Sequence, residues 1–234
     1  MFNRWHPQLA LRYLPIVSWI KKQGLINSKI LEVGSGSLGI GPYLNRPFTG
    51  VDINFFGPSW PKMKQVKGKA EKLPFPDSSF DVALSVDVLE HLPRANRPKA
   101  VAELFRVSTK AVIIAVPCGA QSQLQDRVLY QEYQAKFGKP FPFLEEHLTY
   151  GLPKMSTVIS WIKAAAKSYR KDINTQEQGN RNLSLRLWLM HGWMTRSVPV
   201  NFFFRKILLL FLPILFLLAR KPPHYRQIYF VKIN

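Results

Sequence analysis

Between residues 29 and 117 short apolar runs alternate with helical or loop segments, the rhythm of a parallel sheet covered by helices. The runs predict strands at 29–33, 48–53, Phe80–Val86 and 110–116, with a weaker one at Met63–Lys67. The run KAVIIAV at 110–116 is apolar at nearly every position, as a strand covered on both faces must be, and Pro117 stops it. Residues 93–107 place Ala100, Val101, Leu104 and Phe105 on one helix face, with Pro93 suited to the first turn. Residues 5–22 read as an amphipathic helix bent at Pro15. Arg12 breaks their apolar run and no small-residue cleavage site follows, so no export signal is expected.

Beyond Cys118 the rhythm changes. Residues 119–150 are rich in Gln, Pro and aromatics and predict a lid or loop; 154–170 predict a helix, and the polar 171–182 an exposed connection. Val198–Ala219 is the most apolar stretch, but Arg205 and Lys206 divide it and leave 13 uninterrupted apolar residues, 207–219, with Pro213 among them. That is short of the roughly 20 needed to cross a bilayer. A buried helix, an in-plane anchor and a re-entrant hairpin all remain open. Residues 225–232 alternate as a closing strand would. The chain thus divides into an N-terminal helical segment (1–28), an α/β core (29–118), an acceptor-side and membrane-proximal insertion (119–222) and a closing strand (223–234).

Composition sharpens this picture in two ways. The single cysteine, Cys118, excludes an internal disulfide framework and a multi-cysteine zinc site, which fits a reducing, cytoplasmic setting. The formal charge is +19, and residues 151–234 hold 14 basic but only 2 acidic side chains. A field of that sign attracts polyanions, nucleic acid or anionic lipid alike.

The candidate chemistry begins at the turn LEVGSGSLG, residues 31–39. It follows a strand, and its glycines let backbone approach a ligand. The Lys and Thr of a phosphate-binding loop are absent, so nucleotide hydrolysis is not expected. Asp52 ends the next strand 18 residues after Gly34, where a carboxylate can accept from both hydroxyls of a ribose. Together these point to an adenosine-containing ligand.

With VDI and then GKAEKLPFPDSSFDVALSVDVLEHL, the segment 29–117 resembles the class I methyltransferases of the ubiquinone and menaquinone biosynthesis type. The resemblance implies a Rossmann-like seven-stranded mixed sheet with a reversed last hairpin and helices on both faces. It also implies S-adenosylmethionine as cofactor, bound across the carboxyl ends of the first strands. Carried over by residue, Glu32 meets the methionine amino end and Gly34, Ser35 and Gly36 line the cofactor. Asp52 and Ile53 lie at the ribose, Ala70 and Glu71 flank the adenine, and Ser85, Val86 and Asp87 pass beneath the methionine portion. Lys69 departs from the pattern, because it cannot accept from the adenine amino group.

His91, oriented by Glu90 or Asp87, is the candidate base near the mouth of such a site, and His147 and Tyr150 stand on the segment expected to cover the acceptor. No metal is expected, since no His, Asp and Glu cluster has metal spacing. The function expected is methyl transfer to a small or lipid-linked acceptor such as a quinone-like ring or glycan intermediate, with Val198–Ala219 touching the inner face of a membrane. RNA methylation and a non-catalytic assembly module are the two other readings.

Overall fold

The computed structural model describes residues 5–234; expectations for residues 1–4 lie outside them. Helix α1 (Pro7–Lys22) contains Pro15 and leads into β1 (Ile30–Val33), α2 (Gly41–Leu44), β2 (Phe48–Asp52), β3 (Met63–Lys67) and β4 (Phe80–Val86). After β4, short 3-10 turns at Leu89–His91 and Arg94–Asn96 precede α3 (Arg97–Val107), so Pro98 rather than Pro93 occupies the first helical turn. Then come β5 (Ser108–Pro117), α4 (Ala120–Phe137), α5 (Pro142–Tyr150), α6 (Met155–Ser168), β6 (Ile173–Asn182) and α7 (Leu183–Trp193). Helices α8 (Val198–Arg205) and α9 (Leu212–Ala219), joined by a 3-10 turn, lead to β7 (His224–Ile233).

The seven strands form one sheet in the order β3-β2-β1-β4-β5-β7-β6. Pairs from β3 through β5 are parallel, whereas β7 runs antiparallel to both β5 and β6. This is the Rossmann-like α/β sheet with a reversed last hairpin. Because β1 to β5 are parallel, their carboxyl ends share one edge, and the order reverses beside β1, where such sheets open a crevice for ligands.

Apolar residues cover both faces. Val101, Leu104 and Phe105 of α3 and Val158 and Ile162 of α6 pack over Leu31, Ala83, Val112 and Ile114. On the other face Tyr13, Ile16 and Ile20 of α1 meet Ile30, Leu84, Ile113 and Phe230, with Trp19 stacked on Phe230 at 5.1 Å. Each such aliphatic side chain, fully buried, contributes about 1.5–3 kcal/mol.

Two expectations need correction, and one of the readings left open for Val198–Ala219 falls away. The polar stretch expected as an exposed connection is β6, an edge strand whose ladder to β7 runs from Ile173 opposite Ile233 to Asn182 opposite His224. Backbone pairing, which polar side chains do not hinder at a sheet edge, forms it. The expected lid or loop at 119–150 is two helices, and α4 escapes notice because its buried face carries Ser122 and Asp126 beside Leu129, leaving little apolar periodicity. Val198–Ala219 is not one buried helix. It breaks into α8, a turn and α9, and nine of its large apolar side chains face solvent, Leu210 and Val198 being 77% and 79% exposed.

Candidate active site

The turn after β1 is tied to its neighbour strand by its own backbone. The Gly34 and Ser35 amides donate to the Val51 carbonyl at 2.7 and 3.2 Å. Gly34 sits at φ +75°, and a Cβ there would lie 2.2 Å from Val88 Cγ2, so no side chain fits. Gly36 is also left-handed (φ +53°), but an added Cβ would meet nothing within 4 Å; its open side is a cradle. Asp52 accepts from the Gly36 amide at 2.8 Å through Oδ2 and from the Asn54 amide at 3.3 Å through Oδ1. Each oxygen retains acceptor capacity, and the half-buried carboxylate stands at the carboxyl end of β2.

Glu32 is fully buried. Its Oε2 accepts from the Ile40 amide at 2.6 Å, whereas Oε1 has no hydrogen-bond partner among the described residues. Burial pushes its carboxyl up to about 7. The Tyr13 hydroxyl also stands near this carboxylate, whose remaining acceptor capacity is a place for a donor from a ligand. An ammonium for Glu32, two vicinal hydroxyls for Asp52 and a side-chain-free turn between them fit S-adenosylmethionine.

The other expected contacts divide. Ile53 follows Asp52 with its side chain 65% exposed. Ala70 and Glu71 lie inside a turn closed by the Lys72 amide on the Lys69 carbonyl, and Glu71 accepts from Asn96 Nδ2 at 3.5 Å. Ser85 and Val86 are buried at the end of β4. The Asp87 side chain is occupied: Arg226 of β7 grips both its oxygens and Arg12 of α1 reaches Oδ2 at 2.8 Å. Burial alone would raise its pKa, but Arg12 and Arg226 outweigh that and hold it well below the carboxylate range.

Just past Asp87 the structure gathers the expected bases. His91 Nδ1 meets Glu146 Oε2 at 2.7 Å, and His147 Nδ1 meets Asp126 Oδ2 at 2.8 Å. The two Nε2 atoms face each other at 3.4 Å. Glu146 therefore orients His91, in place of Glu90 or Asp87; Asp87 is held by arginines, and Glu90 is fully buried with neither carboxylate oxygen bonded. Burial, then the charge of Asp87, drives the Glu90 pKa well above the usual range. Tyr150 contributes its carbonyl, which accepts from Arg94 Nε at 2.8 Å and Arg97 at 3.2 Å.

Behind His147, Asp126 also binds Arg186 of α7 and the Tyr225 hydroxyl of β7, while the Arg186 guanidinium lies 3.6 Å from the Tyr225 ring centroid. Asp126, Glu146, Arg186 and Arg226 were not evident in the sequence. They sit tens of residues from their partners, and α4 and α5 had to be helices for Asp126 and His147 to meet. On the outer side, Leu185 and Trp188 of α7 with Phe203, Leu208, Ile214 and Leu218 line an apolar groove of about 550 Å³. Another cavity, about 500 Å³, lies at the amino ends of β1 and β2, away from the Gly34 turn.

The strand order is that of the class I methyltransferase fold, and the Gly34–Asp52 arrangement fits S-adenosylmethionine as a cofactor. Residues 31–116 match the family described as methyltransferase domain. The phthiotriol/phenolphthiotriol dimycocerosates methyltransferase 1 of Mycobacterium ulcerans is 37% identical over 95 residues, 36% of this chain and 34% of that one. The fatty-acid O-methyltransferase of Mycolicibacterium smegmatis is 37% identical over 78 residues, 28% of each chain. The chain thus spans about a third of the length of the curated relatives it matches. Among solved structures, the magnesium protoporphyrin IX methyltransferase of Synechocystis with bound SAH aligns over 95% of this chain and 82% of that one, with a TM-score of 0.52 at 11% identity. The YcgJ protein of Bacillus subtilis aligns over 93% and 97%, with a TM-score of 0.52 at 13% identity. These two share the fold.

Proposed function

We propose that the protein is an S-adenosylmethionine-dependent methyltransferase that works at the cytoplasmic face of a membrane on an amphipathic, lipid-like acceptor. The observation that carries the acceptor class is the solvent-facing apolar surface of Val198–Ala219. A contiguous apolar patch of this kind is unusual on a soluble monomer and marks a binding or membrane surface. Arg205 and Lys206 on one side and Arg220 and Lys221 on the other suit anionic headgroups. Val198–Ala219 has the length and apolarity of a spanning segment, but it breaks at Lys206 into two eight-residue helices, so α8 and α9 lie in the plane of the interface. The two relatives above, named for a dimycocerosate and a fatty acid, support the same acceptor class.

Bound S-adenosylmethionine supplies an electrophilic methyl group. The chain's own part is positional. Asp52 holds the ribose hydroxyls, Glu32 takes the ammonium, and the Gly36 cradle admits the cofactor without a clash. The acceptor enters from the α7–α9 side and presents its reacting atom at the His91–His147 pair, so that attack occurs within a fixed geometry.

Calorimetric titration with S-adenosylmethionine and its demethylated product tests the cofactor half of this reading, with saturation near one site per chain expected. Flotation with phosphatidylcholine vesicles, with and without phosphatidylglycerol, tests the other half. Association that rises with anionic lipid and survives moderate salt supports the interface. Binding to RNA alone, lost steeply with salt, overturns it in favour of a nucleic-acid substrate.

A further inference from the structure

Two imidazoles whose Nδ1 atoms both donate to carboxylates leave two bare Nε2 lone pairs, and here those lone pairs face each other at 3.4 Å. Lone pairs so arranged repel unless a proton or a cation lies between them. A carboxylate behind each ring fixes tautomer and orientation, as in metal-bound histidines. Beside them stands Glu90, fully buried with both oxygens unpartnered. Ligand atoms of Glu90, His91 and His147 all lie within 4.8 Å of one another. Atoms each about 2.0–2.2 Å from one cation are separated by roughly 3.3 Å at a tetrahedral angle, close to the observed Nε2 separation.

We infer that Glu90, His91 and His147 form a binding site for one divalent cation of the zinc, manganese or iron class. Two imidazoles and one carboxylate suit such borderline metals and disfavour magnesium or calcium, which take oxygen ligands. Three protein ligands leave coordination positions open, the mark of a site that receives a water or substrate oxygen. Resting on the methyltransferase reading above, the open position takes an acceptor hydroxyl and lowers its pKa, and its proton passes to solvent. The oxygen then bonds to the methyl carbon as the carbon–sulfur bond breaks, its electron pair staying on sulfur. The sequence expectation of no metal stood on local spacing, which this site evades because His147 lies 56 residues beyond His91.

The test uses untagged, chelator-treated full-length protein without S-adenosylmethionine, so that its failure is distinct from failure of cofactor binding. Zn²⁺, Mn²⁺ and Mg²⁺ are titrated separately by calorimetry, and Co²⁺ binding is followed by visible absorption. One saturable Zn²⁺ or Mn²⁺ site per chain is expected, with Mg²⁺ far weaker and Co²⁺ giving the ligand-field bands of imidazole coordination. Glu146→Gln, a change of a half-exposed positioning residue that should leave the fold intact, weakens binding by about 10–100-fold. Glu90→Gln and His91→Asn weaken it further, whereas His191→Asn, on a surface histidine, leaves it unchanged. Absence of saturable binding by the wild-type protein, or binding unchanged in Glu146→Gln and His91→Asn, overturns the proposal and leaves a proton-sharing histidine pair.

Discussion

Glu32 is bonded at one oxygen and bare at the other, and that asymmetry has a measurable pH signature. Its folded-state pKa, about 7, lies above its ordinary 4.5. The relative stability it contributes is full below about 4.5 and is lost as pH rises through 7, on the order of 3 kcal/mol. Urea unfolding of the cofactor-free protein between pH 4.5 and 8 should show this fall, and Glu32→Gln should flatten it; an unchanged slope would place the effect elsewhere. Asp52→Ala should weaken S-adenosylmethionine binding by about 1.5–3 kcal/mol in calorimetry, through lost charge-assisted hydrogen bonds. Gly34→Ala and Gly36→Ala separate folding from binding. The first meets Val88 and should lose at least about 1–3 kcal/mol of stability in urea unfolding. The second has room, so it should fold with a smaller loss, yet bind cofactor poorly. Glu32, Gly34, Gly36 and Asp52 were legible in the sequence because each lies within or just beside a strand end whose position the apolar pattern fixes.

At the scale of elements, legibility followed the source of each element's stability. Strands β1, β4 and β5 are buried by apolar side chains and announce themselves by composition. The edge strand β6 is held by backbone pairing to β7, which leaves no side-chain signature. Helix α4 turns Asp126 inward toward His147, Arg186 and Tyr225, so the face that matters most is polar and hides the helical period. His91 and His147 could each be singled out as bases, but their pairing depends on α5 reaching back over the end of β4. Helices α8 and α9 offer the converse case: Leu215 and Ala219 pack inward, but Phe202, Ile214 and Leu217 face solvent with no protein to cover them. Replacing Leu210, Ile214 and Leu217, all at least 55% exposed, with Glu should abolish vesicle flotation while leaving the thermal midpoint nearly unchanged. A large drop in the midpoint would instead mean that these residues support the fold.

For the whole molecule, the decisive contact is the one that draws Arg12, Asp87 and Arg226 together from α1, the turn after β4 and β7. Removing Arg226 leaves Asp87 with Arg12 alone and one carboxylate oxygen without its donor, so Arg226→Ala should cost about 1–3 kcal/mol in urea unfolding. Because Asp87 titrates below its ordinary range, its stabilisation is present above about pH 4 and is lost as pH falls through the depressed value. The same tie sets an order of events during synthesis. The ribosome delivers the cofactor turn, both carboxylates that face it, Arg12 and five strands before residue 120, yet Arg226, the second arginine on Asp87, emerges more than a hundred residues later. A nascent chain can therefore assemble five of the seven strands while the turn after β4 still lacks one of its two arginines, and that turn is completed only with β7.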